Sequence, residues 1–254
     1  MNHTARKRFG QHFLTDPRIL ANIVGEMHPR PEDHVVEIGP GLGALTHCLL
    51  PHLKHLHVIE IDRDLAAKLR SEPLAAQITV HETDVLTFNF ASLPSPLRVV
   101  GNLPYNISSP ILFALLPHAS HIVDQHFMLQ KEVIDRMVAQ PGCSTFGRLS
   151  VMLQAYYDME HLFDVPPESF DPPPRVMSAI VRMVPKPQAH REAIPHAVFA
   201  RIVGTAFAQK RKMIRNNWAG VVPTELSEQA GIAPTSRAED ISCAQFLEVA
   251  RNMA

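Results

Sequence analysis

The sequence predicts an α/β protein: a mostly parallel sheet with crossover helices on both faces, followed by a smaller all-helical domain. Three observations carry this. Short apolar strands alternate with helical stretches through the first half of the chain. A glycine-rich turn, Gly39-Pro40-Gly41-Leu42-Gly43, separates one strand from the helix after it. Beyond Pro185-Lys186-Pro187 the apolar residues recur only at helical spacing.

With 254 residues and 46% hydrophobic content, the chain can bury a large core. Its net charge of -1 excludes a global pull toward nucleic acid, so such a role must come from local clusters. Cys48, Cys143 and Cys243 form no CxxC pair, as expected of a reduced cytoplasmic protein. No apolar run is long enough to span a bilayer, and no secretory leader is recognisable. Although His52, His55 and His57 lie close together, none of the histidines shows clear ligand spacing, and no metal is expected. The expected organisation is a basic segment over 1–15, an α/β domain over 16–186 and a helical domain over 187–254.

The amino-terminal segment holds Arg6, Lys7 and Arg8 and runs into Phe9, Phe13 and Leu14, which suggests a stretch that docks onto the domain. Asp16-Pro17 reads as an N-cap followed by Pro at the first helical position, leading a helix through Ile19, Ile23 and Val24. The strand His34 to Ile38 precedes the glycine turn. The next strand, Leu56 to Asp62, ends in acid: Glu60 can accept from ribose hydroxyls, and Asp62 suits the cap of the following helix. A third strand, Ile78 to Asp84, also ends in acid. The fourth, Leu97 to Gly101, runs into Asn102-Leu103-Pro104-Tyr105. Strand-end acids are often only helix caps, but three strands closing on Gly39, Glu60 and Asp84 beside a fourth closing on Asn102 describe a nucleoside pocket.

Further on, helices are expected around Ile111 to Leu116, Lys131 to Val138 and Phe146 to Gln154. Strands are expected at Gln125 to Gln130, Tyr156 to Val165 and Ala179 to Val184. Between the last two, Pro166 to Arg175 is too proline-rich for helix or central strand, so it is a stiff loop carrying Phe170. On the residues alone Phe170 is a plug over the core or a stacking platform, with the plug favoured. In the carboxyl-terminal part Val203, Phe207, Ile214 and Trp218 fall at helical spacing. Lys210, Arg211, Lys212 and Arg215 cluster among them, and no acid lies between Glu192 and Glu225. Together with the amino-terminal cluster they make a plausible phosphate-binding surface.

Gly39-x-Gly41-x-x-Ala44 serves either a dinucleotide or S-adenosylmethionine, so the glycines do not decide between a dehydrogenase and a methyltransferase. Asn102-Leu103-Pro104-Tyr105 discriminates. Asn-x-Pro is also a common turn, but here it offers a carboxamide oxygen and the Leu103 carbonyl beside the flat face of Tyr105. Two acceptors beside a ring suit an exocyclic amino group on a planar base. Amino-methylation needs that arrangement; hydride transfer needs a group that handles an alcohol proton.

These motifs closely resemble the small-subunit ribosomal RNA adenine dimethyltransferases, the dimethyladenosine transferase family. The likeness covers Arg6-Lys7-Arg8-Phe9-Gly10-Gln11-His12-Phe13-Leu14, Val36-Glu37-Ile38-Gly39-Pro40-Gly41-Leu42-Gly43, and Gly101-Asn102-Leu103-Pro104-Tyr105-Asn106-Ile107-Ser108. It continues through Phe127-Met128-Leu129-Gln130-Lys131-Glu132-Val133, Pro172-Pro173-Pro174-Arg175-Val176, the Arg211-Lys212-x-x-Arg215-Asn216 helix and Arg237-Ala238-Glu239. The resemblance implies a Rossmann-like class I S-adenosylmethionine-dependent methyltransferase fold with a seven-stranded sheet. It implies transfer of four methyl groups to N6 of two adjacent adenosines in the 3′-terminal hairpin loop of 16S rRNA, with S-adenosylhomocysteine as the product. The setting implied is the immature 30S subunit late in its assembly; nothing in the sequence demands more than a monomer.

By position, the resemblance assigns cofactor contacts to His12, Leu14, Gly39, Gly41, Glu60, Asp84 and Asn102. It assigns the target amine to Asn102 and Leu103, with Pro104 between them and Tyr105, and places Tyr105 and Phe170 about the base, reversing the preference for Phe170 as a plug. RNA contacts fall to Arg6, Lys7, Arg8, Lys210, Arg211, Lys212 and Arg215. Many relatives carry Asn where this chain has His12, so the resemblance carries over a main-chain contact more readily than a side-chain one. Two alternatives share part of this pattern: the 23S rRNA adenine methyltransferases of macrolide resistance, and a non-catalytic ribosome assembly factor.

Overall fold

The computed structural model describes residues 12–71, 73 and 75–254, so Arg6, Lys7 and Arg8 lie outside the described residues. The chain order begins β1 (Phe13–Leu14), α1 (Pro17–Met27), β2 (His34–Ile38), α2 (Ala44–Leu49), β3 (Leu56–Glu60), α3 (Arg63–Arg70), β4 (Ile78–Glu82) and β5 (Leu97–Asn102). It continues with α4 (Ser108–Ala114), β6 (Ile122–Gln130), α5 (Lys131–Met137), α6 (Arg148–Gln154), β7 (Tyr157–Val165), β8 (Phe170–Asp171) and β9 (Ser178–Pro185). Five helices close it: α7 (Gln188–Glu192), α8 (His196–Ala206), α9 (Ile214–Asn217), α10 (Thr224–Gln229) and α11 (Cys243–Asn252).

Two compact units result. One holds the chain up to Ile134 with Glu160–Val184; the other holds Asp135–Met159 with Pro185–Ala254. The second unit therefore does not begin at 187, because residues 135–159 group with the carboxyl-terminal helices. The cause is local: α6 buries Val151, Met152 and Leu153, and Gln154 spends its amide on the carbonyls of Met137 and Ala139. Within this unit Trp218 is buried, its indole N–H donating to the Ile202 carbonyl at 3.0 Å while its ring meets Phe246 edge-on.

The sheet has seven strands in the order β4-β3-β2-β5-β6-β9-β7. From β4 to β6 every neighbouring pair is parallel, and β9 joins β6 antiparallel. Central strands covered on both faces read as continuous apolar runs, and Val35, Val36, Leu56, Val58 and Val99 are fully buried. Strand order reverses direction between β2 and β5, which places a switch point there.

The capping signals hold. The Asp16 carboxylate accepts from the Arg18 N–H at 2.9 Å and starts α1, and Asp62 accepts from the Asp64 N–H at 3.0 Å and starts α3. At the far end of the sheet Arg98 is clamped between two acids: Asp124 takes both of its forks at 2.9 and 2.6 Å, and Asp33 accepts at 2.8 Å. Its guanidinium also donates to the Met27 carbonyl, closing the end of α1.

Candidate active site

Everything of chemical interest in the first unit gathers at the carboxyl ends of β4, β3, β2 and β5, which are consecutive in the sheet. Just past β2 the chain turns through Gly39-Pro40-Gly41. Gly41 has φ +58°, and a Cβ on it would stand 3.0 Å from the Phe13 ring, so the turn demands glycine and the amino-terminal strand packs directly on it. Its N–H donates to Glu60 Oε2 at 3.2 Å, while the Asp62 N–H donates to Oε1 at 2.8 Å. Glu60 is 5% exposed, and burial raises its carboxyl above the ordinary range against those two hydrogen bonds. Each oxygen thus accepts from the backbone, and Glu60 lines the recess.

Asp84, half-buried just beyond β4, accepts from the Leu86 N–H at 2.9 Å through Oδ1, which fixes its carboxylate at the start of a single helical turn. On the inner wall, Glu37 is fully buried and accepts from the Thr46 hydroxyl at 2.6 Å. Burial first, and the nearby Glu60 charge second, push it up to about 7.

At the end of β5, Gly101 lets its strand approach β2 so closely that a Cβ would lie 2.4 Å from the Ile38 carbonyl oxygen. Asn102 follows, and its Nδ2 donates to the His12 carbonyl at 2.9 Å. Since the carboxamide is planar, tying the amine edge to the main chain leaves Oδ1 on the opposite edge as the acceptor. Leu103 is pinned by its N–H to the Met128 carbonyl at 3.1 Å. The Tyr105 hydroxyl lies 2.5 Å from Ser178 Oγ, and its ring stacks on that of His12 with centroids 5.6 Å apart and planes 24° from parallel.

One recess is lined by His12, Leu14, Gly39, Gly41, Glu60, Asp84 and Asn102 through Tyr105, so nearly every predicted site residue meets there. Phe170 does not line it. In the two-residue ladder of β1 and β8, Leu14 pairs with Phe170, and the Phe170 ring is 3% exposed within the core beside Val165 and Ile180. The structure therefore returns Phe170 to the plug that the residues alone favoured. Phe13, Glu37 and His126 also line the recess and were not singled out from the sequence. Phe13 left a trace there as an aromatic in the basic segment, and Glu37 as part of the stretch leading into the glycine turn.

In the second unit Lys210, Arg211, Lys212 and Arg215 are all exposed. They do not share a helix: α8 stops at Ala206 and α9 starts at Ile214, so the first three lie on the connecting turn. Asn217 makes the break, its amide donating to the carbonyls of Ala206 at 2.6 Å and Gln209 at 3.2 Å. Among the described residues no three His, Cys, Asp or Glu gather as a metal site. His57 faces His81 across 3.1 Å, and burial lowers it to about 4. No helix among the described residues is long and apolar enough to cross a membrane.

A glycine turn, a buried acid and a capped acid opening on one recess at the switch point of a parallel sheet define a nucleoside-binding α/β domain. The Asn-Leu-Pro-Tyr segment beside it narrows this to the methyltransferase kind. The family model described as Ribosomal RNA adenine dimethylase matches residues 2–254, and the chain belongs to that family. Ribosomal RNA small subunit methyltransferase A of Bordetella pertussis is 57% identical over 251 residues, 98% of this chain and 94% of that protein. Its namesake from Dechloromonas aromatica is 51% identical over 252 residues, 99% of each chain. Among solved structures, a dimethyladenosine transferase from Plasmodium falciparum superposes with a TM-score of 0.82 at 26% identity, covering 94% of this chain and 96% of that one. The 23S rRNA methyltransferase ErmE gives 0.72 at 28% identity, covering 93% and 97%. The fold is that of a class I methyltransferase.

Proposed function

We infer that this protein transfers methyl groups from S-adenosylmethionine to N6 of two adjacent adenosines in the 3′-terminal hairpin loop of 16S rRNA. It would make each N6,N6-dimethyladenosine, working as a cytoplasmic monomer on the immature 30S subunit. The observation that carries this is the Asn102 carboxamide, held by the His12 carbonyl so that its oxygen is the acceptor at the end of β5.

The donors and acceptors fit the methyl donor. Glu60 retains lone pairs for a ribose diol, Asp84 is oriented to accept from an adenine amine, and the glycine turn lets the backbone approach closely. When bound, S-adenosylmethionine supplies an electrophilic methyl on a sulfonium. The chain's own task is to place the nucleophile. The N6 lone pair of adenine is delocalised into its ring, so the amine is weak. Accepting its two N–H bonds at Asn102 Oδ1 and the Leu103 carbonyl favours a pyramidal nitrogen with its lone pair turned toward the methyl. Tyr105 holds the ring in line, so positioning and preorganised dipoles supply the acceleration. Exposed Lys210, Arg211, Lys212 and Arg215, together with Arg6, Lys7 and Arg8, would take RNA phosphates. An unpaired loop base needs little unstacking to enter the site.

The small-subunit target is favoured over the 23S one because the relatives named for the small subunit reach 58% identity while ErmE stands at 28%. The test is Asn102→Ala with unmethylated 30S particles and labelled methyl donor. Methyl transfer should disappear while particle binding persists. Undiminished methylation by that variant, or wild-type transfer to 50S precursors instead, would overturn the reading.

A further inference from the structure

The Tyr105 hydroxyl is held by a residue that no sequence motif marks, Ser178 at the start of β9. We propose that Ser178 is a positioning residue for methyl transfer, acting through the Tyr105 ring. This deepens the adenosine-methylating reading above and rests on it.

The main chain of the Asn102–Tyr105 segment is fixed without Ser178. The Leu103 N–H donates to the Met128 carbonyl at 3.1 Å, and the Pro104 carbonyl accepts from the Ile107 N–H at 3.1 Å. The Tyr105 carbonyl accepts from the Ser108 hydroxyl at 3.2 Å. Those bonds leave the Tyr105 side chain free to change rotamer. Its ring meets His12 on one face. Such a contact resists tilting but tolerates sliding, because stacked rings are satisfied over a range of offsets. The hydrogen bond at the far end of the ring, 2.5 Å from oxygen to oxygen, is short and directional and stops the slide.

Ser178 is built as an anchor. It is fully buried, and its place in the sheet pairs it with Gln130 on β6, the strand whose Met128 carbonyl pins Leu103. Both ends of the segment are thus referred to one strand. Since His12 covers one face of Tyr105, a base can meet only the other face or the edge, and the bond to Ser178 decides where these stand. Burial raises the Tyr105 phenol above its ordinary range against the Ser178 bond, so the hydroxyl keeps its proton at neutral pH. The pair aligns a ring and carries no proton.

Single-turnover methylation of unmethylated 30S particles by full-chain variants tests this, with KM for the methyl donor taken from initial rates. Ser178→Ala should slow transfer by about ten- to a hundredfold, the scale on which a displaced positioning group acts. KM for S-adenosylmethionine should stay unchanged. Ser178→Cys nearly keeps the shape of the side chain but bonds weakly, so it should lose as much as Ala. In a Tyr105→Phe background, where no hydroxyl remains to be held, Ser178→Ala should cost nothing further. Losses that multiply in the double variant would show that Ser178 acts elsewhere and overturn the proposal. So would full activity with Cys, an unchanged rate with Ala, or a loss confined to the methyl-donor KM. These outcomes are read against an active wild type. A wild type inactive on the particle would sink the adenosine-methylating reading and this proposal with it.

Discussion

Replacing Gly101 by Ala tests whether the site depends on how closely β5 approaches β2. The added Cβ would stand 2.4 Å from the Ile38 carbonyl oxygen and 3.3 Å from that residue's carbonyl carbon and amide nitrogen. A carbon–oxygen contact relaxes at about 3.3 Å, so the two strands must part by roughly an ångström. The obstacle is backbone, which cannot swing aside as a side chain would. Overpacking of this kind costs about 1–3 kcal/mol, which leaves an ordinary domain folded at 25 °C. Its effect on rate should be larger. Asn102 follows Gly101 directly, and Gly39 follows Ile38, so parting the strands moves the acceptor away from the glycine turn. A displacement near 1 Å in a positioned group costs on the order of a hundredfold in rate. Single-turnover methylation should therefore fall about a hundredfold, while a urea melt reports only the modest loss of stability. Rates within a few-fold of wild type would refute the reasoning, because the close approach would then not set the geometry.

Gly204→Ala is the control: it lies in α8 with nothing within 4 Å of its Cβ, and it should stabilise by about 0.5–1 kcal/mol with methylation unaffected. Arg98→Met should destabilise by about 3–5 kcal/mol in a urea melt, because Asp33 and Asp124 lose their shared partner; a loss below about 1 kcal/mol would count against that clamp. Glu37→Gln should alter the pH dependence of stability. Burial, and secondarily Glu60, raise the folded pKa from 4.5 to about 7, so the folded state binds the proton more tightly and stability falls as pH climbs from 4.5 through 7. That gap corresponds to about 3 kcal/mol lost by pH 8, which the Gln variant should escape while keeping an acceptor for Thr46. Parallel stability–pH curves for the two proteins would show that Glu37 is not the group responsible.

What the sequence could reveal was whatever depends on neighbours within a few residues. Asp16 and Asp62 cap the helices that follow them, and strand-end residues point where strand order alone sends them, so Gly39, Glu60, Asp84 and Asn102 could be grouped before any tertiary contact was known. What stayed hidden depends on distant partners. Phe170 is buried because Leu14 pairs with it from the opposite end of the domain, and no local pattern announces a two-residue ladder. The break between α8 and α9 is masked because Val203, Phe207, Ile214 and Trp218 keep helical spacing across it. Asn217, folding back on Ala206 and Gln209, ends the first helix. Residues 135–159 follow the same logic: α6 sits between predicted strands, yet its buried face belongs with the carboxyl-terminal helices.

The contact between His12 and Asn102 has a consequence for the order of events. A carboxamide can present either edge, and an amine substrate meets an acceptor on one edge and a like-signed donor on the other. The bond from Nδ2 to the His12 carbonyl selects the acceptor edge, and it exists only while the segment entering β1 lies against the end of β5. Phe13 lies against Gly41 in the same segment, over the turn assigned to the methyl donor. On the proposed reading, one short stretch of chain would govern both halves of the recess, so donor binding beneath Phe13 and the set of Asn102 toward the base would be linked through two adjacent residues. The linkage is reciprocal: whatever holds this segment down for one ligand readies the site for the other.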